Sequence, residues 1–145
     1  MGNFVGIGGG EIPSWSFKTK DDNQILYQTK EIDEYIVNLS KKSNPKLLFI
    51  GTASKENKCY FNAIKNIYEK LGCSVSNLEV LDFWNENIED DINISNNTIQ
   101  IETKMDEICQ KILLADIIYI GGGNTKFMLN KWQEFGIDKM LLEAY

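Results

Sequence analysis

Four short apolar runs alternate with longer amphipathic segments along this chain, and this alternation limits the fold more than any other feature of the sequence. Each run is apolar throughout, which is typical of a strand that is buried on both faces of a parallel sheet. The segments between the runs repeat apolar residues at helical spacing. We therefore expect an α/β fold, a three-layer α/β/α sandwich with a mainly parallel sheet. The predicted strands lie within residues 4–9, 46–54, 74–84 and 116–120.

The predicted helices fill most of the intervals between these strands. The first ends before Asn44 and Pro45, a pair that breaks helices, and Gly72 is expected to cap the second at its C-terminus. Residues 85–97 are rich in Asn and indicate a surface loop. At 145 residues, with 43% apolar residues, the chain fits a single domain with a buried core. The predicted helices span residues 25–42, 58–72, 99–115, 124–135 and 138–145.

Charge and composition exclude several classes of function. A net charge of −6 argues against a nucleic-acid partner, because phosphate binding needs a basic surface. No segment approaches membrane-spanning length and no signal peptide opens the sequence, so we expect a cytoplasmic protein without a membrane partner. The three cysteines lack the spacing of a zinc site or a disulfide framework. We expect no metal and no cofactor.

The chain contains no histidine. A complete Ser-His-Asp or Cys-His catalytic device therefore cannot be assembled from these residues alone.

In open parallel sheets, functional sites lie at the carboxyl ends of the strands. The first such end carries "GIGGGE", residues 6–11, where a dinucleotide fingerprint would need glycine in place of Glu11. A phosphate would also be repelled by that carboxylate. Two interpretations stay open, a tight turn or a site lined by Gly10 and Glu11. Ser54 follows the second strand and is a further candidate for lining the site, although without a base it is no credible nucleophile.

The motif "GGGNT", residues 121–125, is more informative. Glycines at a strand exit leave backbone N–H groups unobstructed, and just before a helix such groups suit an oxyanion hole. Asn124 or Thr125 is expected to cap the following helix. The alternative, that the glycines only turn the chain and Asn124 only caps, stays open.

Four segments resemble the peptidase E and cyanophycinase family of serine peptidases, which has the class I glutamine amidotransferase-like fold. They are "GGGEI", "PKLLFIGTAS", "YEKLGC" and "ILLADIIYIGGGNTKFMLNKW", in the family's order and across nearly all of the chain. The resemblance implies that Gly122, Gly123 and Asn124 line the active site and help to form its oxyanion hole. It also implies a serine nucleophile in a G-x-S-A-G turn on the next strand, followed by a histidine and an acidic residue.

This sequence has no G-x-S-A-G and ends at "LLEAY". We therefore expect the N-terminal part of a longer hydrolase domain, with a sheet truncated before the nucleophile strand and no catalytic residue of its own. The intact protein would act on short peptides or amide bonds. The peptidase E branch implies acidic dipeptides and the cyanophycinase branch Asp-Arg polymers, while Glu11 would suit a cationic group.

Two other functions compete with the hydrolase. One is a non-catalytic binding or assembly module with the same fold; the weaker one is a nucleotide-binding α/β domain. A sheet that ends after its fourth strand exposes an edge, so we expect pairing with another copy or with the missing C-terminal part, or else marginal stability.

Overall fold

A computed structural model describes residues 2–8, 29–81 and 94–145, and in the last range it describes the side chains from residue 102 onward. Within these residues the sheet has three parallel strands in the order β2-β1-β3. The strands are β1 (Lys46–Ile50), β2 (Ser74–Leu78) and β3 (Ile117–Ile120).

Five α-helices accompany these strands in the described part of the chain, and a single 3₁₀ turn, Thr52–Ser54, follows β1. No helix among the described residues is long and apolar enough to cross a lipid bilayer. The helices are α1 (Lys30–Leu39), α2 (Lys58–Lys70), α3 (Ile94–Leu113), α4 (Thr125–Phe135) and α5 (Ile137–Ala144).

Strand β1 lies in the centre of the sheet. Leu47 is opposite both Val75 of β2 and Ile117 of β3, so both edges of β1 are paired. The four apolar residues of β1, 47–50, are each no more than 1% exposed. Burial of both edges and both faces explains why this segment is apolar throughout.

Alternate residues of β1 enter two separate cores, one on each face of the sheet. Leu48 and Ile50 pack with residues of α3, α4 and α5, among them Ile108, Met128 and Trp132. On the other face, Leu47 and Phe49 pack mainly with α2, through Ile64, Ile67 and Tyr68, and helix α1 adds Ile36 and Val37 at the edge of this core. Helices on both faces of a parallel sheet confirm the predicted three-layer α/β/α fold.

Helix α1 is attached to α2 through a buried carboxylate. Asp33 is 3% exposed and accepts hydrogen bonds from the hydroxyl of Tyr68 at 2.6 Å and from that of Thr29 at 2.9 Å. Burial, and then the bond to Asp33, raise the pKa of Tyr68 well above its usual value. The phenol is therefore held protonated as a donor, and the carboxylate has a partner on each oxygen.

The prediction of a first strand within residues 4–9 is wrong for the part of that range that the structure describes. Residues 2–8 form no strand and are mostly exposed. Phe4 is 83% exposed and its ring contacts that of Tyr145, with 5.0 Å between centroids. Glycines at positions 2, 6 and 8 leave few side chains to bury, and glycine loses the most backbone entropy when it is ordered.

Two predicted boundaries also differ. Helix α3 begins at Ile94, so residues 94–97 are helical; Ser and Asn there suit the first turn, where helix N–H groups lack partners. The rest of the predicted loop, residues 85–93, lies outside the described residues. Strand β2 ends at Leu78, earlier than predicted, because the carboxylate of Glu56 accepts the N–H groups of Val80 and Leu81 at 2.7 and 2.9 Å.

The predicted cap after α2 is confirmed. Gly72 has a φ of +89°, in the left-handed region, and its N–H donates to the carbonyl of Glu69 at 3.0 Å. A glycine reaches this conformation at low cost, so it ends the helix and turns the chain toward β2.

Candidate functional site

The carboxyl ends of β1 and β3 lie side by side, which brings two of the predicted site segments together. Ile50 is opposite Ile120 in the sheet, and the N–H of Gly121 extends the pairing by donating to the carbonyl of Ile50 at 3.0 Å. The chain then makes the Thr52–Ser54 turn after β1 and the glycine segment, residues 121–123, after β3. Helix α4 begins directly after the glycines.

Gly123 lies directly on the backbone of the Thr52–Ser54 turn. Its φ is +143°, and a Cβ placed there would be 2.3 Å from the carbonyl oxygen of Ala53. The next N–H, that of Asn124, donates to the same oxygen at 2.8 Å. The close approach and this hydrogen bond fix the glycine segment against the turn, and no other residue type fits at position 123 without moving the backbone.

The side chain of Asn124 caps α4. Its Oδ1 accepts a hydrogen bond from the N–H of Phe127 at 3.0 Å, the usual geometry of an Asn N-cap. Of the two predicted capping residues, Asn124 is therefore the cap and Thr125 is the first residue of the helix. Asn124 is also exposed beside the glycines, so capping does not remove it from the strand-end surface.

The N–H groups of this segment have different partners. Gly122 donates to the hydroxyl of Tyr60 at a rather long 3.3 Å, whereas those of Gly121 and Asn124 hold the backbone of β1 and its turn. The N–H of Gly123 makes no hydrogen bond with any described residue. Gly122 and Gly123 are both exposed. Within the described residues, the N–H of Gly123 is therefore the one in this segment that is left without a partner.

Ser54 is adjacent to Gly123, and its hydroxyl is used within its own turn. The Oγ of Ser54 donates to the carbonyl of Gly51 at 2.9 Å, and its backbone N–H donates to the same oxygen at 3.0 Å. That backbone nitrogen lies 3.0 Å from the position of a Cβ on Gly123. Gly10 and Glu11, the other two predicted site-lining residues, lie outside the described residues.

Three residues that support the site were not predicted from the sequence. Trp132 of α4 donates its Nε1–H to the hydroxyl of Thr52 at 3.2 Å in a buried contact. Glu56 holds the residues after β2, and Tyr60 contacts Gly122. Trp132 has the spacing of an ordinary core residue, and Glu56 and Tyr60 resemble solvated or core positions. No local pattern marks any of them.

Among the described residues, a lysine side chain and polar backbone contribute to the electrostatics of this edge. The ammonium of Lys55 lies 5.9 Å from the ring centroid of Phe127, in the first turn of α4. The N-terminus of α4 adds the partial positive charge of its free N–H groups. In the described ranges no cluster of three or more acidic or cysteine side chains is placed to bind a metal ion.

Comparison with known proteins identifies the family. Residues 22–102 and 89–145 match the model of peptidase family S51, which is most of the chain. This chain belongs to peptidase family S51. Over all 145 residues it is 28% identical to the uncharacterized peptidase YgaJ of Bacillus subtilis, of which it covers 50%. Over 112 residues it is 31% identical to an uncharacterized peptidase of Listeria monocytogenes, of which it covers 43%.

The family S51 chain therefore spans about half the length of the curated relatives that it matches. Its structure is similar to the crystal structure of a Listeria monocytogenes protein that is provisionally named peptidase E. The TM-score is 0.53 and the sequence identity is 26%. That likeness covers 80% of this chain and 49% of the Listeria chain. The α/β fold and its similarity to a peptidase E-like protein agree with the family assignment.

Proposed function

We propose that this chain supplies the oxyanion and substrate-binding part of a peptidase E-like serine hydrolase that acts on short peptides or amide bonds. One observation carries the proposal. Gly123 is an exposed residue at the exit of β3, directly before a helix, and its N–H has no hydrogen-bond partner among the described residues. Membership of family S51 supplies the class of reaction.

The geometry suits stabilisation of a developing negative charge. When a nucleophile attacks a peptide carbonyl, the oxygen gains charge, and a fixed N–H donor stabilises it without having to reorganise. Gly123 is fixed by its contact with Ala53 and by the bond from the Asn124 N–H to that same carbonyl. In this proposal Gly122 and the Asn124 side chain complete the wall of the site. The N-terminus of α4 adds a favourable dipole.

The proposal assigns the nucleophile and its base to residues outside 1–145. The sequence has no histidine, and the hydroxyl of Ser54 is committed to the carbonyl of Gly51. By itself the chain is thus expected to bind a short peptide and to leave it uncleaved.

A second candidate is a non-catalytic binding or assembly module with the same fold. The lack of histidine in the sequence favours it, because a module of this kind needs no base. Both candidates place a ligand at the same strand ends, and they differ in whether the protein in its natural form cleaves that ligand.

Hydrolysis assays on two forms of the protein test the proposal. Residues 1–145 and the protein purified from its source at natural length are incubated with Asp-Leu and Asp-Arg dipeptides, and release of free amino acids is followed by chromatography. We expect cleavage by the natural form and none by residues 1–145. A natural form that binds these dipeptides without cleaving them would support the module instead.

A further inference from the structure

Tyr60 lies at the base of the glycine segment and is held there by aromatic packing. Its ring meets that of Phe49 edge-on, with 5.2 Å between centroids. A Cβ on Gly121 would be 2.9 Å from the Tyr60 ring, so the glycine segment lies directly against it. The side chain is only partly buried, and its hydroxyl is next to the Gly122 N–H at the strand-end surface.

The hydroxyl oxygen of Tyr60 accepts a hydrogen bond from the glycine segment. The N–H of Gly122 donates to it at 3.3 Å. This bond uses the Tyr60 oxygen and leaves the hydroxyl proton out of the contact.

A tyrosine hydroxyl has one proton to donate in addition to its acceptor capacity. Because the bond from Gly122 uses the oxygen as acceptor, that proton is left for another group. Meanwhile the N–H of Gly122 is engaged, which leaves Gly123 as the backbone donor without a partner in the described structure. The donors at the site are therefore not simply two consecutive glycine amides.

We propose that Tyr60 is a substrate-binding residue whose hydroxyl donates to the carbonyl-bearing substrate beside the Gly123 N–H, in place of the Gly122 N–H. This inference rests on the proposed function, since it concerns the same site. It takes the second donor from α2, on one face of the sheet, while the first comes from the β3–α4 connection. Two donors from different elements fix the direction of the bound carbonyl as well as its position.

The test uses ¹⁵N-labelled residues 1–145 as wild type, Tyr60→Phe and Tyr35→Phe. Phe keeps the ring that packs on Phe49 and removes only the hydroxyl. Tyr35 is 57% exposed on α1, so its variant is the matched control. Two quantities are measured by NMR: amide hydrogen exchange at Gly122 and Gly123 without ligand, and the Kd for the dipeptide Asp-Leu from the shift of the Gly123 amide.

We expect Gly122 to exchange more slowly than Gly123 in the wild type and to lose that protection in Tyr60→Phe. We also expect the Kd for Asp-Leu to rise about fivefold to tenfold in Tyr60→Phe, the loss typical of one hydrogen bond, and to be unchanged in Tyr35→Phe. A Gly123 shift with the same Kd in Tyr60→Phe would overturn the role of Tyr60 and leave the proposed function standing. No Gly123 shift at all in the wild type would overturn the proposed function, and this inference with it.

Discussion

At the scale of single residues, the three consecutive glycines meet three different constraints. A side chain at Gly121 would meet the rings of Tyr60 and Phe49 at 2.9 and 3.0 Å. At Gly123 it would meet the backbone of Ala53 at 2.3 Å, whereas at Gly122 it would meet nothing within 4 Å. The motif "GGG" therefore combines one packing position, one exposed position and one position of close backbone contact.

These differences predict an order of stability among three alanine variants. Gly122→Ala is expected to change the free energy of unfolding by less than about 0.5 kcal/mol. Gly121→Ala displaces two rings and is expected to cost about 1–3 kcal/mol. Gly123→Ala must move backbone at a positive φ and is expected to cost the most. Urea unfolding of the three variants measures this order, and a Gly123→Ala protein as stable as Gly122→Ala would refute it.

A second prediction at this scale concerns the buried Asp33. Its carboxylate holds the hydroxyl of Tyr68, and a hydrogen bond to a charged group contributes about 1.5–3 kcal/mol. Tyr68→Phe removes that bond and keeps the ring, so we expect the free energy of unfolding to fall by that amount. Tyr35→Phe, on an exposed side chain of α1, serves as the control. A Tyr68→Phe protein with wild-type stability would show that Asp33 is satisfied without Tyr68.

At the scale of elements, α4 is positioned by contacts at both ends of the site. Its N-terminus is capped by Asn124, whose backbone N–H is bonded to the carbonyl of Ala53 in the turn after β1. One face of the helix reaches that same turn through the bond between Trp132 and Thr52. The helix and the turn are therefore held together at two points, and the glycine segment lies between them.

The cap predicts a measurable contribution from Asn124. Asn124→Ala loses the hydrogen bond from the Phe127 N–H, so we expect the free energy of unfolding to fall by about 1 kcal/mol. Asn124→Asp keeps an acceptor oxygen and should retain most of the contribution of the cap. Asn130→Ala, at an exposed position within α4, is the control and should not destabilise the protein. Thermal unfolding measures all three. If Asn124→Ala and Asn124→Asp unfold at the same temperature, the cap contributes nothing.

The elements also show what sequence patterns reveal and what they miss. Strands β1 and β3 and helix α4 were predicted because continuous apolar runs and a capping residue are local signals. The run at residues 4–9 is also apolar but is interrupted by glycines, and residues 2–8 form no strand. The end of β2 was misplaced because Glu56, 24 residues before Val80, takes that residue's N–H.

At the scale of the whole molecule, an ion pair connects the start of β3 to the segment before β1. Lys42 lies 2.6 Å from Asp116, which also accepts the N–H of Lys46 at 2.9 Å. The hydrogen bond with Lys42, and then the one from Lys46, lower the pKa of Asp116 below its usual value. The central strand and its neighbour are thus fastened at the end opposite the candidate site.

This shift predicts how stability depends on pH. The pKa of Asp116 is lower in the folded state than in the unfolded state, where it is near 3.8. The contribution of Asp116 to the free energy of unfolding is therefore complete above the unfolded-state pKa and is lost as the pH falls through the folded-state pKa. Asp116→Asn should therefore destabilise the protein at pH 7 and weaken the fall in stability below about pH 4. Asp106→Asn, at an exposed position on α3, is the control. Urea unfolding between pH 2.5 and 7 measures both, and parallel profiles for wild type and Asp116→Asn would contradict the assignment.

The sequence predicted the layered architecture of the molecule and the candidate site at Gly122, Gly123 and Asn124. The adjacency of Ser54 and Gly123 follows from the parallel pairing of β1 with β3 and was implicit in that architecture. The contact of Tyr60 with Gly122 was not implicit in that architecture, because the Tyr60 hydroxyl reaches Gly122 across 62 residues of sequence. The site is assembled by packing between elements, and within it the glycines and the capping Asn124 carry a local signature.

The most direct test of the central claim is the effect of Gly123→Ala on peptide cleavage by the protein at natural length. Values of kcat/KM for Asp-Leu are compared for wild type, Gly123→Ala and Gly136→Ala. Gly136 has a φ of +70° with open space around it, so its variant controls for a side chain at a positive φ outside the site, without the backbone clash at Gly123. Gly123→Ala keeps the N–H, but its Cβ would be 2.3 Å from the carbonyl oxygen of Ala53 and so displaces that N–H from the site. Misplacement of an oxyanion donor predicts a fall in kcat/KM of up to about 10²–10³-fold in protein that remains folded, and little change for Gly136→Ala. Wild-type kcat/KM in folded Gly123→Ala would contradict the claim.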